Sequence, residues 1–398
     1  MKEKTNHVFP LRIAKRNDVT WKTKLSSVSL TIGSALLISV LFLWVVGMKN
    51  PLPAIKYIFM GSFENKIKFW AFMKELVLLL GIGLALVPAY KMRFWNIGAQ
   101  GQVLIGALIT SLCMLKLPNT IPSYGVILIS FALSMLGGAL WAYIPSIFKA
   151  KWNTNETLFT LMMNYIAIAL VTFCVDRWRG SKSSLGTINP STKRGWVDFK
   201  TGVGSIDKFV TTYLNSRVII PLLVVLVLCV LMYFYIKKTK HGYEIQVIGD
   251  SVSTARYTGI NVSHVIRRTL FLSGAICGLM GFFYVACFDH TLSSTTSGGY
   301  GFTAVIVCWL SNFNPFIMIG YSALIVFLDK GARNLSNVAY ASALNEYSTE
   351  FILFIIIIAI MLTTFFVRYH IVLTAHKSNN KRYLKILTKG LKTEVYHG

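Results

Sequence analysis

Ten apolar runs divide this chain, separated by polar or glycine-rich intervals. They begin near Ser27, Phe69, Gln102, Tyr124, Leu158, Val218, Thr269, Gly301, Pro315 and Phe351. Several reach the roughly 20 residues that a helix needs to cross a bilayer. The largest polar interval, Asp176 to Ser216, has 41 residues and reads as a loop with room for a short amphipathic piece. No interval is large enough to bury a core of its own. The pattern predicts an all-α polytopic membrane protein of about ten transmembrane helices.

The third and eighth runs differ from the rest. One begins in "RFWNIGAQGQVLIGAL", Arg93 to Leu108, the other in "SGGYGFTAVIVCWLSNFNP", Ser297 to Pro315. Each is a glycine-rich, polar approach to a short apolar run. An offset of five crossings reverses direction, so the two occupy equivalent positions in inverted repeats. Broken helices at segments three and eight are therefore expected, because irregular backbone at membrane depth survives only inside protein or along a cavity. The alternative is that the glycines only let helices pack closely.

Composition agrees with the pattern. Of 398 residues, 54% are hydrophobic and 14% charged, and the mean hydropathy is +0.58. Forty Lys and Arg against 15 Asp and Glu give a net charge of +25. The positive charge flanks the apolar runs instead of forming a soluble basic domain, so its expected partner is anionic membrane lipid and not nucleic acid. Ten crossings put both termini on one side. Placing them in the cytoplasm leaves 24 Lys/Arg inside and 14 outside, the bias that sets orientation in a membrane. The expected organisation is a basic cytoplasmic N-terminal arm (1–26), a transmembrane domain (27–370) and a basic cytoplasmic tail (371–398). The interval 237–268 then lies in the cytoplasm and 176–216 outside. The first run follows a mostly polar arm, has no small-residue cleavage site, and reads as a retained anchor.

Candidate chemistry is sparse. The six cysteines lie in or beside apolar runs without a C-x-x-C pair, so neither a zinc site nor a disulfide framework is suggested. No cofactor is expected. Polar residues inside membrane segments are costly and often functional. Asn96, Gln100, Gln102 and Asn164 are candidates for a solute pathway, with plain interhelical hydrogen bonding as the alternative. Lys74 and Glu75 are adjacent, so on a helix they do not face one another. They read as structural groups near the outer edge, with Lys74 snorkelling. Asp289, His290, Asp329 and Lys330 fall at outer ends. A catalytic set for a membrane-embedded enzyme is hard to assemble, since six of the seven histidines fall in tails or cytoplasmic intervals.

Four stretches together resemble one family, the membrane permease subunits of ABC importers of the nucleoside and simple-sugar type. They are "FWNIGAQGQVLIGAL"; "NTNETLFTLMMNYIA", Asn153 to Ala167; "GYEIQVIGDSVSTARYTGINV", Gly242 to Val262, followed by "LSGAICGLMG", Leu272 to Gly281; and "GYGFTAVIVCWLSNFNP". The resemblance runs from about Phe69 to Val367, and the N-I-G-A motif is similar to the nucleoside branch. Gln100 stands where the family usually has Glu. That removes an anion and remains compatible with a neutral nucleoside, because an amide both donates and accepts. Trp95 and Phe302 would offer rings to a base.

The resemblance implies import of nucleosides, with simple sugars as the alternative. An ion-coupled secondary transporter would need buried carboxylates, in which the segments are poor. The chain has no G-x-x-x-x-G-K-[ST] motif, so energy would come from cytoplasmic ABC ATPase subunits. A second permease subunit, identical or different, and an extracytoplasmic substrate-binding lipoprotein complete the implied assembly, in a bacterial plasma membrane. The interval 237–268 would hold the coupling helix, with Gly249, Asp250, Ala255, Arg256, Tyr257 and Gly259 as its residues. In that reading Gly249 gives a tight turn and Asp250 or Ser251 caps the helix. Ala255 and Tyr257 pack on the ATPase, and Arg256 pairs with an acidic rim.

Overall fold

The structure is a computed structural model that describes residues 11–15, 37, 44, 53–118, 120–180, 182, 184–197, 216–336 and 369–373. The expected last segment, nearly all of the first, and most of both basic termini lie outside these residues. The chain divides into two compact units, residues 1–57 with 332–398, and residues 58–331. In the first unit, β1 (Leu11–Lys15) pairs antiparallel with β2 (Tyr369–Leu373), Leu11 opposite Leu373. This small ladder is the one departure from an all-helical chain among the described residues.

The second unit is helical. In chain order the helices are α1 (Pro53–Phe63), α2 (Lys66–Lys91), α3 (Ala99–Lys116), α4 (Ser123–Trp152), α5 (Glu156–Arg179), α6 (Ser216–Lys238), α7 (Lys240–Asp250), α8 (Val252–Tyr257), α9 (Val262–Phe283), α10 (Tyr300–Leu310) and α11 (Pro315–Ser336); α1 begins and α11 ends in residues grouped with the first unit. A π-helical turn, Tyr284–Asp289, extends α9. Among the described residues seven helices, α2 to α6, α9 and α11, are long and apolar enough to cross a membrane. With α10 added, they coincide with every expected segment inside the described residues. The protein is a multi-pass membrane protein.

The eighth segment, α10, has 11 residues and is about 16 Å long, too short to span a bilayer. The third, α3, has 18 residues and starts only at Ala99, after a non-helical stretch that follows Lys91.

Burial separates central from peripheral helices. Every residue of α2 from Leu76 to Tyr90 is buried, the mark of a helix apolar all round and enclosed by others. α9 is similarly enclosed from Ile276 to Phe283. α5 and α6 instead present Leu158, Tyr165, Phe173, Leu223 and Leu231 outward. Glycine permits the tightest crossing, where α9 meets α3 and α4. A Cβ on Gly106 would lie 2.4 Å from the Gly278 carbonyl oxygen, and one on Gly138 2.4 Å from that of Gly274. Small residues let membrane helices approach backbone to backbone.

Local sequence explains the helix ends that matter for the site. "NTNE" turns the chain from α4 to α5. Asn153 takes the left-handed conformation at φ 49°, Asn155 caps α5 by accepting from the Leu158 amide at 3.2 Å, and Lys149 pairs with Glu156 at 2.7 Å. Asn261 caps α9 through the His264 amide at 3.1 Å, so this helix starts well before Thr269.

Candidate functional site at the two interrupted helices

The break between α2 and α3 is tied down by side chains from four helices. Tyr90 donates its hydroxyl to the Asn96 carbonyl at 3.1 Å. The Asn96 side-chain oxygen accepts from the Gly98 amide at 3.0 Å and from Gln102 Nε2 at 3.2 Å. Its Nδ2 donates to Ser273 Oγ on α9 at 3.4 Å. From α5, Thr160 Oγ1 accepts from the Ile97 amide at 3.2 Å. One turn later, Asn164 donates to the Ile97 carbonyl at 2.8 Å and accepts from the Gly101 amide at 2.8 Å. Ile97 thus has both backbone groups satisfied by α5, and the unwound stretch persists because its orphaned donors and acceptors are paired.

These hydrogen bonds give three of the solute-pathway candidates a place in the packing. Asn96, Gln102 and Asn164 are buried; Asn96 and Asn164 use both ends of their amides on the chain itself, while Gln102 uses its Nε2 and leaves its Oε1 without a partner among the described residues. They hold the break open and do not line a free surface. Thr160 does the same work and went unnoticed in the sequence. Its signal is its place four residues before Asn164 in "FTLMMN", on the same helix face.

Gln100 and Phe302 remain. The two glycine-rich stretches meet at the first turns of α3 and α10, where a Cβ on Gly301 would lie 2.6 Å from the Gln100 backbone nitrogen. Gly298 and Gly299 stand at φ 55° and 73°, a conformation that glycine adopts without cost, and this tight turn delivers α10 to the contact. Gln100 is half-buried, and its Oε1 has no hydrogen-bond partner among the described residues. Beside it α10 presents Phe302 and, two turns on, Trp309, both 44% exposed; Trp95, 40% exposed, comes from the other stretch. Trp95 stacks on Trp309 with centroids 5.2 Å apart. Phe313 meets Trp309 edge-on and lies parallel to Tyr90. Trp309 was not singled out in the sequence. The result is an accessible aromatic pair, Trp95 and Trp309, drawn from both interrupted segments, with exposed Phe302 two turns away on α10; the unpaired Gln100 oxygen itself is buried. Such a face suits a flat ring.

The interval 237–268 forms two helices, α7 and α8. Thr239 caps α7 by accepting from the Gly242 amide at 3.1 Å, and Ser251 caps α8 through the Thr254 amide at 3.3 Å. Of the two caps expected here, Ser251 fills the role and exposed Asp250 is the last residue of α7. Gly249 is helical, not a turn residue. The turning glycine is Gly259 at φ 78°, where the Ile260 amide reaches back to the Ala255 carbonyl at 3.0 Å. Ala255 is 0% exposed, packed with Ala89, Met92, Phe94, Ile245 and Ile248, so it faces its own chain and has no surface to offer a partner. Tyr257, 97% exposed, projects fully, with exposed Arg256 beside it.

At the other end of the bundle, adjacent Lys74 and Glu75 reach in different directions. Lys74 pairs with Asp289 and Glu75 with Lys330, so α2 is pinned to the π-helical turn and to α11. This replaces the snorkelling expected of Lys74. The described part of the interval after α5 docks on the same π turn. Trp196 stacks on the His290 ring at 3.8 Å, and the Val197 amide donates to the Ala286 carbonyl at 2.9 Å.

Residues 67–361 match the family described as branched-chain amino acid transport system, permease component. The chain belongs to this permease family. It is similar to a guanosine ABC transporter permease of Bacillus subtilis, 27% identical over 64% of this chain and 70% of the relative. A nucleoside ABC transporter permease of Lactococcus lactis is 24% identical over 77% of this chain and 84% of its own. A glucose ABC transporter permease of Haloferax volcanii is 26% identical over 83% and 86%. No solved structure matches the permease. Its relatives carry the four stretches' resemblance from motif to most of the chain, and it is an ABC permease of the nucleoside and simple-sugar importer type.

Proposed function

We propose that this permease admits nucleosides, along a path bordered by Gln100, Phe302, Trp95 and Trp309. The observation that carries the reading is the exposed aromatic face assembled from both interrupted segments, with Trp95 of one stacked on Trp309 of the other. A base would stack on the rings and donate to the buried Gln100 oxygen once the contact between α3 and α10 opens, while a neutral amide in place of a carboxylate suits an uncharged solute. The names of two relatives support this choice, and the glucose relative keeps a simple sugar as the second reading.

ATP-hydrolysing subunits would dock on α8 through Tyr257 and Arg256. That places α7, α8 and both termini in the cytoplasm and the interval 176–216 outside. A second permease subunit would cover part of the outward apolar faces of α5 and α6, lipid would cover the rest, and a substrate-binding lipoprotein would deliver the solute.

The test is uptake into cells expressing the full importer. Guanosine import should be competed by other nucleosides and not by glucose. Trp309→Ala and Gln100→Ala should each raise the half-saturating concentration by about 5- to 150-fold, the equivalent of one lost ring contact or hydrogen bond. Competition by glucose alone would move the assignment to sugars. Tyr257→Ala should release the ATPase from the purified permease, and retention at wild-type levels would remove α8 from the docking role.

A further inference from the structure

α7 meets the rest of the chain along one stripe. Gly242, Ile245 and Gly249 are spaced i, i+3, i+7 on one helix face, and all three are buried. At the first turn a Cβ on Gly242 would fall 2.2 Å from the Ile236 carbonyl oxygen and 2.4 Å from that of Tyr235, in the last turn of α6. Gln246 Nε2 donates to the same Ile236 oxygen at 2.8 Å. Two turns on, a Cβ on Gly249 would fall 2.1 Å from the carbonyl oxygen of Lys91, the last residue of α2. Between these contacts Ile245 and Ile248 pack with Ala255 of α8 and with Ala89, Met92 and Phe94. Glu244 pairs with Arg268 of α9 at 2.9 Å.

The position of the Gly249 contact matters. Directly after Lys91 the chain leaves helix and enters the break that Asn96, Thr160 and Asn164 hold. Side chains between two helices can absorb motion by changing rotamer. Two backbones in contact through a glycine have no such freedom, and close-packed interiors pass displacement on.

We propose that α7 is a strut between the α8 docking face and the α2–α3 break, with Gly249 as its positioning residue. The inference rests on the reading of α8 as the ATPase dock. Movement of α8 shifts α7 through the shared Ala255–Ile248 packing. Gly249 then presses on the end of α2, and the break that presents Trp95 and Gln100 moves with it. Gly242 fixes the other end of the strut against α6. Gly249 so determines how tightly hydrolysis is coupled to solute access, and it does so without touching ATPase or solute.

The experiment uses the complete importer in proteoliposomes, with Gly249→Ala, Gly249→Val and Ile248→Ala. A Cβ at 249 forces Lys91 and Gly249 apart while leaving the exposed face of α8 intact. ATPase subunits should co-purify at wild-type levels, and ATP hydrolysis without solute should persist. Guanosine import should fall about tenfold, within the range of typical coupling free energies, so that ATP consumed per solute imported rises by the same factor. Ile248→Ala loosens the same contact without adding bulk, and it decides the matter if the valine variant does not reach the membrane. Import and hydrolysis falling in parallel, or an unchanged ratio in both Gly249→Ala and Ile248→Ala, would overturn the strut. Failure of the docking reading is read separately, from Tyr257→Ala: there the ATPase would stay bound.

Discussion

Asn164 joins two helices through its own amide, accepting from the backbone of Gly101 at 2.8 Å in the first turn of α3. A Cβ on Gly101 would stand 2.9 Å from that same Asn164 oxygen, so the hydrogen bond needs both residues. With the second bond from Asn164 to the Ile97 carbonyl, one side chain of α5 satisfies backbone on both sides of Gly98.

Asn164→Ala should therefore act on stability first. It leaves a buried donor at Gly101, costing about 1–3 kcal/mol, and a half-buried acceptor at Ile97, costing less. The detergent-solubilised permease should unfold at a lower temperature, and Thr160→Val should shift it in the same direction by less. Unfolding temperatures equal to wild type, combined with a raised half-saturating concentration for uptake, would return Asn164 to the solute path.

Ala255→Glu separates a core position from a contact position. Ala255 is fully enclosed by Met92, Phe94, Ile245, Ile248 and Val265, and a carboxylate without a partner there costs several kcal/mol. The variant should lose yield and thermal stability of the permease itself. Tyr257→Ala, a change at an exposed position, should stay within about 0.5 kcal/mol of wild type. Equal stability of the two variants, measured by thermal unfolding, would contradict the inward orientation of Ala255.

Orientation is read by labelling. Ser184 and Ser253 are both exposed, and they sit on the intervals assigned to opposite sides. Five native cysteines are buried and Cys174 is half-buried, so a Cys174→Ser background should be almost silent. A membrane-impermeant maleimide added to whole cells should label Ser184→Cys and spare Ser253→Cys until the membrane is opened. Labelling of Ser253→Cys alone in intact cells would invert the topology.

The segments were legible because a membrane helix is a local object. About 20 apolar residues satisfy their own backbone and need no partner to be recognised, and all eight expected segments within the described residues are helical. The interruption at α3 and the brevity of α10 were also legible, since glycine and amides stand out against leucine. The cap at Ser251 followed from a serine placed before a helical run.

What a polar residue does at an interruption could not be read locally. An amide that lines a path and an amide that staples a backbone are the same residue type in the same apolar setting. Asn96 and Asn164 became staples only because α9 and α5 bring Ser273, Thr160 and the Ile97 carbonyl within hydrogen-bond reach. The same holds for Gly249, whose partner, the Lys91 carbonyl, lies far away in sequence, and for Trp309, which meets Trp95 across the two segments. The chain's own pattern determined which stretches are membrane helices and where they break, since both depend on residues a few places apart. Which polar groups are consumed by those breaks depends on contacts between distant segments. Only the packed structure decided that.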